Sequence, residues 1–180
     1  MAFEIFFTAD THFYHRNIIE YCKRPYECVE EMNEAIVENW NAVVQKYDIV
    51  YHLGDVSFGT AEETRGILSR LNGIKHLITG NHERYTKWHR KDPGLIHDYF
   101  TEQGDYLKIK IDKHTKLVLC HFPLAAWDRG WYQFHGHTHG QYKGCHKQLD
   151  VGMDNCGMKP IHIIEATKRA LDNVLVPVYK

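Results

Sequence analysis

The sequence predicts an α/β fold arranged as an α+β sandwich: two mixed β-sheets flanked by helices, in a single domain over residues 1–180. Three observations predict it. The first half repeats a strand–loop–helix unit, which argues for parallel strands with helices packed on their faces. The second half carries short apolar runs with no helix between them, which argues for a second sheet. The length of 180 residues suits one core and is short for two.

The elements follow in order. Phe3–Ala9 reads as a buried strand ending at Asp10. Glu30–Val44 reads as an amphipathic helix, with Met32, Ile36, Trp40, Val43 and Val44 at helical spacing. Asp48–Leu53 is a second strand, stopped by Gly54-Asp55. Thr60 has the place of an N-cap for a helix running to Leu71, which Asn72-Gly73 ends. Ile74–Thr79 is a third strand, stopped by Gly80-Asn81. Further on, Tyr106–Ile111 and Lys116–His121 flank the turn residues 112–115 and predict a hairpin. Trp131–Gly136 and Gln148–Gly152 are further strands. Glu165–Leu171 predicts a helix and Val174–Tyr179 an edge strand. No repeat, low-complexity segment or linker divides the chain.

Composition narrows the function classes. Hydrophobic residues make up 43% and charged residues 25%, ordinary for a soluble globular protein. A net charge of -1 implies no broad basic surface for nucleic acid or acidic membranes. No apolar run approaches the roughly 20 residues of a membrane span, and the N-terminus lacks a signal-peptide pattern, so a cytoplasmic location is expected. The five cysteines are odd in number and have no CxxC spacing, which fits reduced thiols. A small zinc site of Cys145, His146 and Cys156 is the alternative for three of them.

There are 14 histidines. His12, His15, His52, His82, His121, His137 and His139 fall in or beside short patterns of Asp, Asn or Gly. These patterns sit at strand ends: Asp10-Thr11-His12, Gly54-Asp55, Gly80-Asn81-His82-Glu83, His121 after its strand, and Gly136-His137-Thr138-His139. The loops at the carboxyl edge of an open α/β sheet are where such folds bind ligands. Carboxylate, imidazole and amide groups together suit borderline divalent metals. Each pattern alone is an ordinary turn or cap. Five in order, each after a predicted strand, are a consistent signal.

Together the patterns DxH, GD, GNHE, a lone histidine and GHxH resemble the signature of the calcineurin-like metallophosphoesterase superfamily, in order from Asp10 to His139. The run Phe7–Ile19 resembles a compact subgroup found in bacteria and their viruses. The resemblance implies the calcineurin-like fold and two divalent metal ions such as Mn, Fe or Zn. It implies that Asp10, His12 and His139 hold one ion, that Asn81, His121 and His137 hold the second, and that Asp55 bridges them. A hydroxide shared by two metals about 3.5–4 Å apart would attack phosphorus in line. His82 would stabilise the transition state and protonate the leaving group.

The substrate implied is a phosphate ester, a nucleotide being one candidate. The absence of a large cap domain favours phosphodiesters over monoesters. His15, Asn17, Arg24 and Trp127 are candidate substrate contacts. Against these stand a helix cap for His15 and Asn17 and a solvated arginine for Arg24; Arg129 and Trp131 share the loop of Trp127 that could wall the pocket, with core packing the alternative for Trp131, which begins a strand. His52 is expected to be a structural neighbour of Asp55, and His135 a packing or surface residue. Asp150 and Asp154 could orient ligand histidines. Two other classes remain beside this reading. A scaffold of the same fold without catalysis is one, since fold alone does not fix function. A β-lactamase-like metallohydrolase is the other, but its HxHxDH cluster is absent. Oligomeric state is not legible.

Overall fold

The computed structural model describes residues 3–83, 86, 90–92, 94–142 and 144–173. The first sheet has five strands: β1 (Ile5–Thr8), β2 (Ile49–His52), β3 (Ile74–Ile78), β4 (Phe100–Gly104) and β9 (Ile161–His162). The second has four: β5 (Tyr106–Lys110), β6 (Lys116–Cys120), β7 (Tyr132–His135) and β8 (Gln148–Asp150). The first sheet runs β4-β3-β2-β1-β9 and the second β5-β6-β7-β8. β1 to β4 are mutually parallel and β9 closes the edge antiparallel to β1. β5 and β6 form the expected hairpin, whereas β6, β7 and β8 are parallel. The Asp112 carboxylate fixes the hairpin turn by accepting from the backbone N–H groups of His114 and Thr115.

The helices are α1 (Arg16–Cys22), α2 (Val29–Val43), α3 (Ala61–Leu68), α4 (Leu95–Tyr99) and α5 (Ile163–Asp172). Thr60 caps α3 in a reciprocal capping box with Glu63, which satisfies two end donors at once. That helix stops at Leu68, one turn before the expected Leu71.

Strand alternation divides the core in two. Phe6 of β1 points to one side and joins Met32, Ile36 and Trp40 of α2 and Ile67 of α3. Phe7 points to the other and joins Leu117, Leu119, Phe134 and Leu149 of the second sheet, with Ala166 and Ala170 of α5. Helices therefore cover one face of the first sheet, and the second sheet together with α5 covers the other.

Three elements had no clear pattern in the sequence. β4 is a polar edge strand (Thr101, Glu102, Gln103), α4 spans five residues, and β9 spans two. The edge strand expected at Val174–Tyr179 lies outside the described residues. The mixed two-sheet α/β sandwich is as the pattern predicted.

Candidate metal centre

Every candidate ligand follows the carboxyl end of a parallel strand. Asp10 and His12 follow β1, Asp55 follows β2, Asn81 follows β3, His121 follows β6, and His137 and His139 follow β7. The two sheets meet there, where Ala9 bridges Gly152, and within the second sheet the Gly136 N–H donates to the His121 carbonyl at 3.0 Å. Gly54 shows why glycine is needed at one crossing. It has φ +93, and a Cβ there would lie 2.5 Å from the Gly80 backbone and 2.8 Å from His121 Nδ1. The bare backbone lets the β2 and β3 loops touch and brings Asp55 beside Asn81.

The ligand backbones are themselves unusual. Asp10, His12, Asp55, His137 and His139 all have left-handed φ, between 49 and 68. Such conformations cost on the order of 1–3 kcal/mol each away from glycine, and they gather at functional sites. Tertiary contacts hold them. The Asp10 N–H donates to the Gly54 carbonyl and the His12 N–H to the Asp55 carbonyl. The His137 N–H donates to Asp10 Oδ2 at 2.9 Å.

Among the described residues three groups of ligand atoms lie within 4.8 Å of one another: Cys22, His139 and Asp154 at the flank, and Asp10, His12 and His139, and Asp10, Asp55 and His121, at the centre. Asp55 Oδ2 is 3.7 Å from His12 Nε2 and 3.6 Å from His121 Nε2. Both carboxylates therefore lie between the two histidine sets, so Asp10 shares the central position expected of Asp55 alone. Asn81 Oδ1 stands 2.9 Å from both His121 Nε2 and His137 Nδ1. His121 Nδ1 donates to the Leu53 carbonyl at 2.6 Å, which leaves the Nε2 lone pair facing the cluster.

The donor set fits a cation. Asp10 Oδ1 and both ring nitrogens of His12 are buried without a hydrogen-bond partner, a state that buried polar groups rarely keep. Burial, reinforced by the Asp150 and Asp55 carboxylates, pushes the Asp10 carboxyl well above its usual range. Burial, with the charges of Arg24 and His139, pushes the His12 imidazole well below its own. Neutral imidazoles facing crowded, desolvated carboxylates are relieved by a divalent ion, which reverses both effects.

Supporting residues surround the cluster. Arg24 is buried, and its guanidinium donates to the Asp10 and Thr11 carbonyls and to both oxygens of Asp154. Asp154 in turn accepts from His139 Nδ1 at 2.7 Å. Burial opposes the Asp154 carboxylate, but its bonds to His139 and Arg24 prevail and keep its pKa below the usual value. The expected phosphate contact of Arg24 is thus corrected: its charge is spent behind the ligands, as a positioning residue. Asp150 holds the GHTHG loop through Thr138 and the Gly140 N–H, not through a histidine.

Glu83 ties the loops after β2 and β3 together by accepting from the Val56 and Gly80 N–H groups. Burial and the Asp55 carboxylate nevertheless push its carboxyl up to about 7. Its place in the GNHE pattern was visible, but nothing nearby in sequence pointed to these partners.

The remaining candidates separate. His82 stands over the cluster, 43% exposed, with Nε2 3.8 Å from Asp55 Oδ2. His15 stacks on Phe58 at 4.1 Å, lies 5.4 Å from the His12 ring, and makes no side-chain cap. Phe58 also packs 4.9 Å from the His82 ring, a contact without a sequence signal. Asn17 is exposed on α1. Trp127 donates to the Trp131 carbonyl and lines a cavity that contains none of the ligands. His52 is buried against Thr11, and His135 is buried with Nδ1 on the Gly136 carbonyl. Among the described residues Cys145, His146 and Cys156 form no metal-sized cluster. All five cysteines are free. No described helix is long and apolar enough to cross a membrane.

Fold and site together define a two-sheet α/β protein with a buried Asp/His cluster able to hold metal ions. The chain belongs to the same family as the uncharacterized protein MJ1445 of Methanocaldococcus jannaschii. The two are 33% identical over 172 residues, covering 89% of this chain and 87% of that protein. The fold is similar to the crystal structure of the protein of unknown function AQ665 from Aquifex aeolicus. That similarity has a TM-score of 0.73 and 27% identity, over 93% of this chain and 99% of that one. No protein-family model matches the chain.

Proposed function

We propose that the protein is a calcineurin-like metallophosphoesterase that binds two divalent ions and hydrolyses phosphate esters, with phosphodiesters favoured over monoesters. The observation that carries this reading is the convergence of seven donors from five strand ends on a buried cluster with unpartnered Asp10 and His12 atoms. Asp10, His12 and His139 would hold one ion, Asn81, His121 and His137 the other, and Asp55 would be shared. When bound, the ions supply polarisation of a phosphoryl oxygen and acidification of a water.

The chain's own residues do the rest. Arg24 and Asp154 fix the His139 ring, and the Leu53 carbonyl fixes that of His121. His82 reaches over the cluster from the loop that carries Asn81, with its backbone N–H on Asp55 Oδ1 at 3.0 Å. From there its imidazole would donate a proton to the departing ester oxygen. The rim above the cluster includes the exposed His82 and His137, which suits an ester that needs no deep pocket. Free cysteines are consistent with a cytoplasmic setting.

The test is hydrolysis of a chromogenic phosphodiester beside its monoester with Mn²⁺ added. The wild type should turn over the diester faster. His82→Ala should keep its metal and lose turnover on the order of 10²–10⁴-fold. An inert wild type with two ions bound would defeat the reading.

A further inference from the structure

The loop that leaves the candidate ligand His121 does more than return the chain to β7. Residues 125–131 of this loop and residues 145–147 enclose an open cavity of about 580 Å³, within the usual range for small-molecule sites. Trp127 and Trp131 supply its flat apolar walls, and Arg129 and Lys147 its charge. Asp128 is the one acid among its described lining residues.

The cavity is locally cationic although the chain is nearly neutral. Lys108 Nζ lies 5.3 Å and Lys116 Nζ 6.0 Å from the Trp131 ring centroid, and Lys147 Nζ lies 5.1 Å from that of Tyr132. Asp128 is matched to Lys108 at 2.8 Å. Arg129 is exposed, and neither it nor Lys116 pairs with an acid among the described residues. Lys108 and Lys116 thus stand over the Trp131 indole, and Arg129 and Lys147 line the cavity, with one carboxylate, Asp128, among the four cations. At the other end of the same loop, Phe122 is 42% exposed, with its ring 4.6 Å from that of His137. The cavity itself lies at the amino ends of β7 and β8, the opposite end of these strands from the candidate ligands.

We propose that this cavity binds a nucleotide unit of single-stranded nucleic acid, with a base against Trp127 and Trp131 and backbone phosphates on Arg129 and Lys147. Indole faces and an uncompensated cationic rim are the two features that bind single strands without reading sequence, and the cations exceed what the local acid can neutralise. The net charge of the whole chain hides such a patch. The binding assignment stands on the cavity alone. Its role, to hold a single strand several nucleotides away from the phosphodiester that the cluster would cleave, rests on the phosphoesterase reading.

The experiment is fluorescence anisotropy of labelled thymidine and uridine oligomers, ~10 nucleotides long to match one such binding module. They carry phosphorothioate links that resist cleavage and are titrated with the full metal-loaded chain. At least one oligomer should bind, with affinity falling as salt rises. Trp127→Ala should weaken binding roughly five- to a hundred-fold, the span of one lost stacking contact. Arg129→Glu alters an exposed side chain and should weaken binding by about tenfold or more and flatten the salt dependence. The tighter of the two oligomers names the sugar. No binding by either overturns the assignment. So does binding that both variants leave intact, or a glutamate-rich peptide that binds as tightly. Hydrolysis of the small chromogenic diester is read on the same preparation. Variant-sensitive binding without hydrolysis upholds the cavity and removes the phosphoesterase reading; hydrolysis without binding does the reverse.

Discussion

The two halves of the candidate ligand cluster are built differently. Asp10 and His12 are sealed from solvent, and Asp10 Oδ1 and both His12 nitrogens lack hydrogen-bond partners. Arg24 braces the Asp10 and Thr11 carbonyls, and with Asp154 it braces the third member, His139. In the other half, Asn81 Oδ1 already lies within hydrogen-bond distance of His121 and His137, and His137 is exposed. The first half has little to lose by taking a cation, because no internal bond must break. The second must trade the hydrogen bond that His137 Nδ1 donates to Asn81 Oδ1, and the water around His137, for the ion. On the proposed function, one ion is held tightly and the other exchanges.

The largest effect is expected where the halves meet. Asp55 Oδ2 approaches His12 and His121 almost equally, so Asp55→Asn should lower the bound metal of both halves and abolish turnover. Elemental analysis and the diester assay check this, and normal metal content would refute the shared role. Asn81→Ala separates the halves. It should cost one equivalent of metal while the Asp10–His12–His139 side keeps its own; loss of both would erase the contrast. Arg24→Ala should act through stability. It strands a buried Asp154 carboxylate, and breaking such a pair costs about 3–5 kcal/mol, read as a fall in the urea midpoint. The exposed Arg65–Asp92 pair is the control: Arg65→Ala should cost under about 1 kcal/mol.

The same contrast explains what the sequence made legible. Asp10, His12, Asp55, Asn81, His121, His137 and His139 were all marked by short polar patterns at strand ends, four of them beside glycines, and the strands deliver them to one place. Their supports were not. Arg24 lies 130 positions from Asp154, and Glu83 lies 27 from the Val56 N–H it holds. No local pattern encodes such a bond, so Arg24 read as a solvated or substrate-facing side chain. The left-handed backbones at five of these positions were equally invisible, because long-range contacts impose them against local preference. β4 and β9 were missed for a related reason. An edge strand of polar residues and a strand of two residues carry no alternation to read.

The smallest effect tests the buried ground beneath the cluster. The Thr11 hydroxyl donates to the Val56 carbonyl at 2.8 Å, so its contact with His52 Nε2 at 3.0 Å has the imidazole donating. That leaves His52 Nδ1 as a bare acceptor, buried without a partner. Burial first, and the nearby His121 second, hold the His52 pKa down at about 3. The folded state therefore binds fewer protons than the unfolded chain between pH 6.5 and about 3. Its stabilisation is complete above the unfolded value of 6.5 and is lost as pH falls through that window, by about 1.4 kcal/mol per pH unit for this one group. His52→Gln can keep the donor to Thr11 but cannot take up the proton. Urea unfolding at pH 6.5 and pH 5.5 should show the wild type losing about 1 kcal/mol more than the variant across that unit. The ligand histidines titrate in both proteins and cancel in the comparison. Parallel curves for the two would mean that His52 accepts its proton within the fold, and that the floor beneath Thr11 and His12 is wetter than its burial implies.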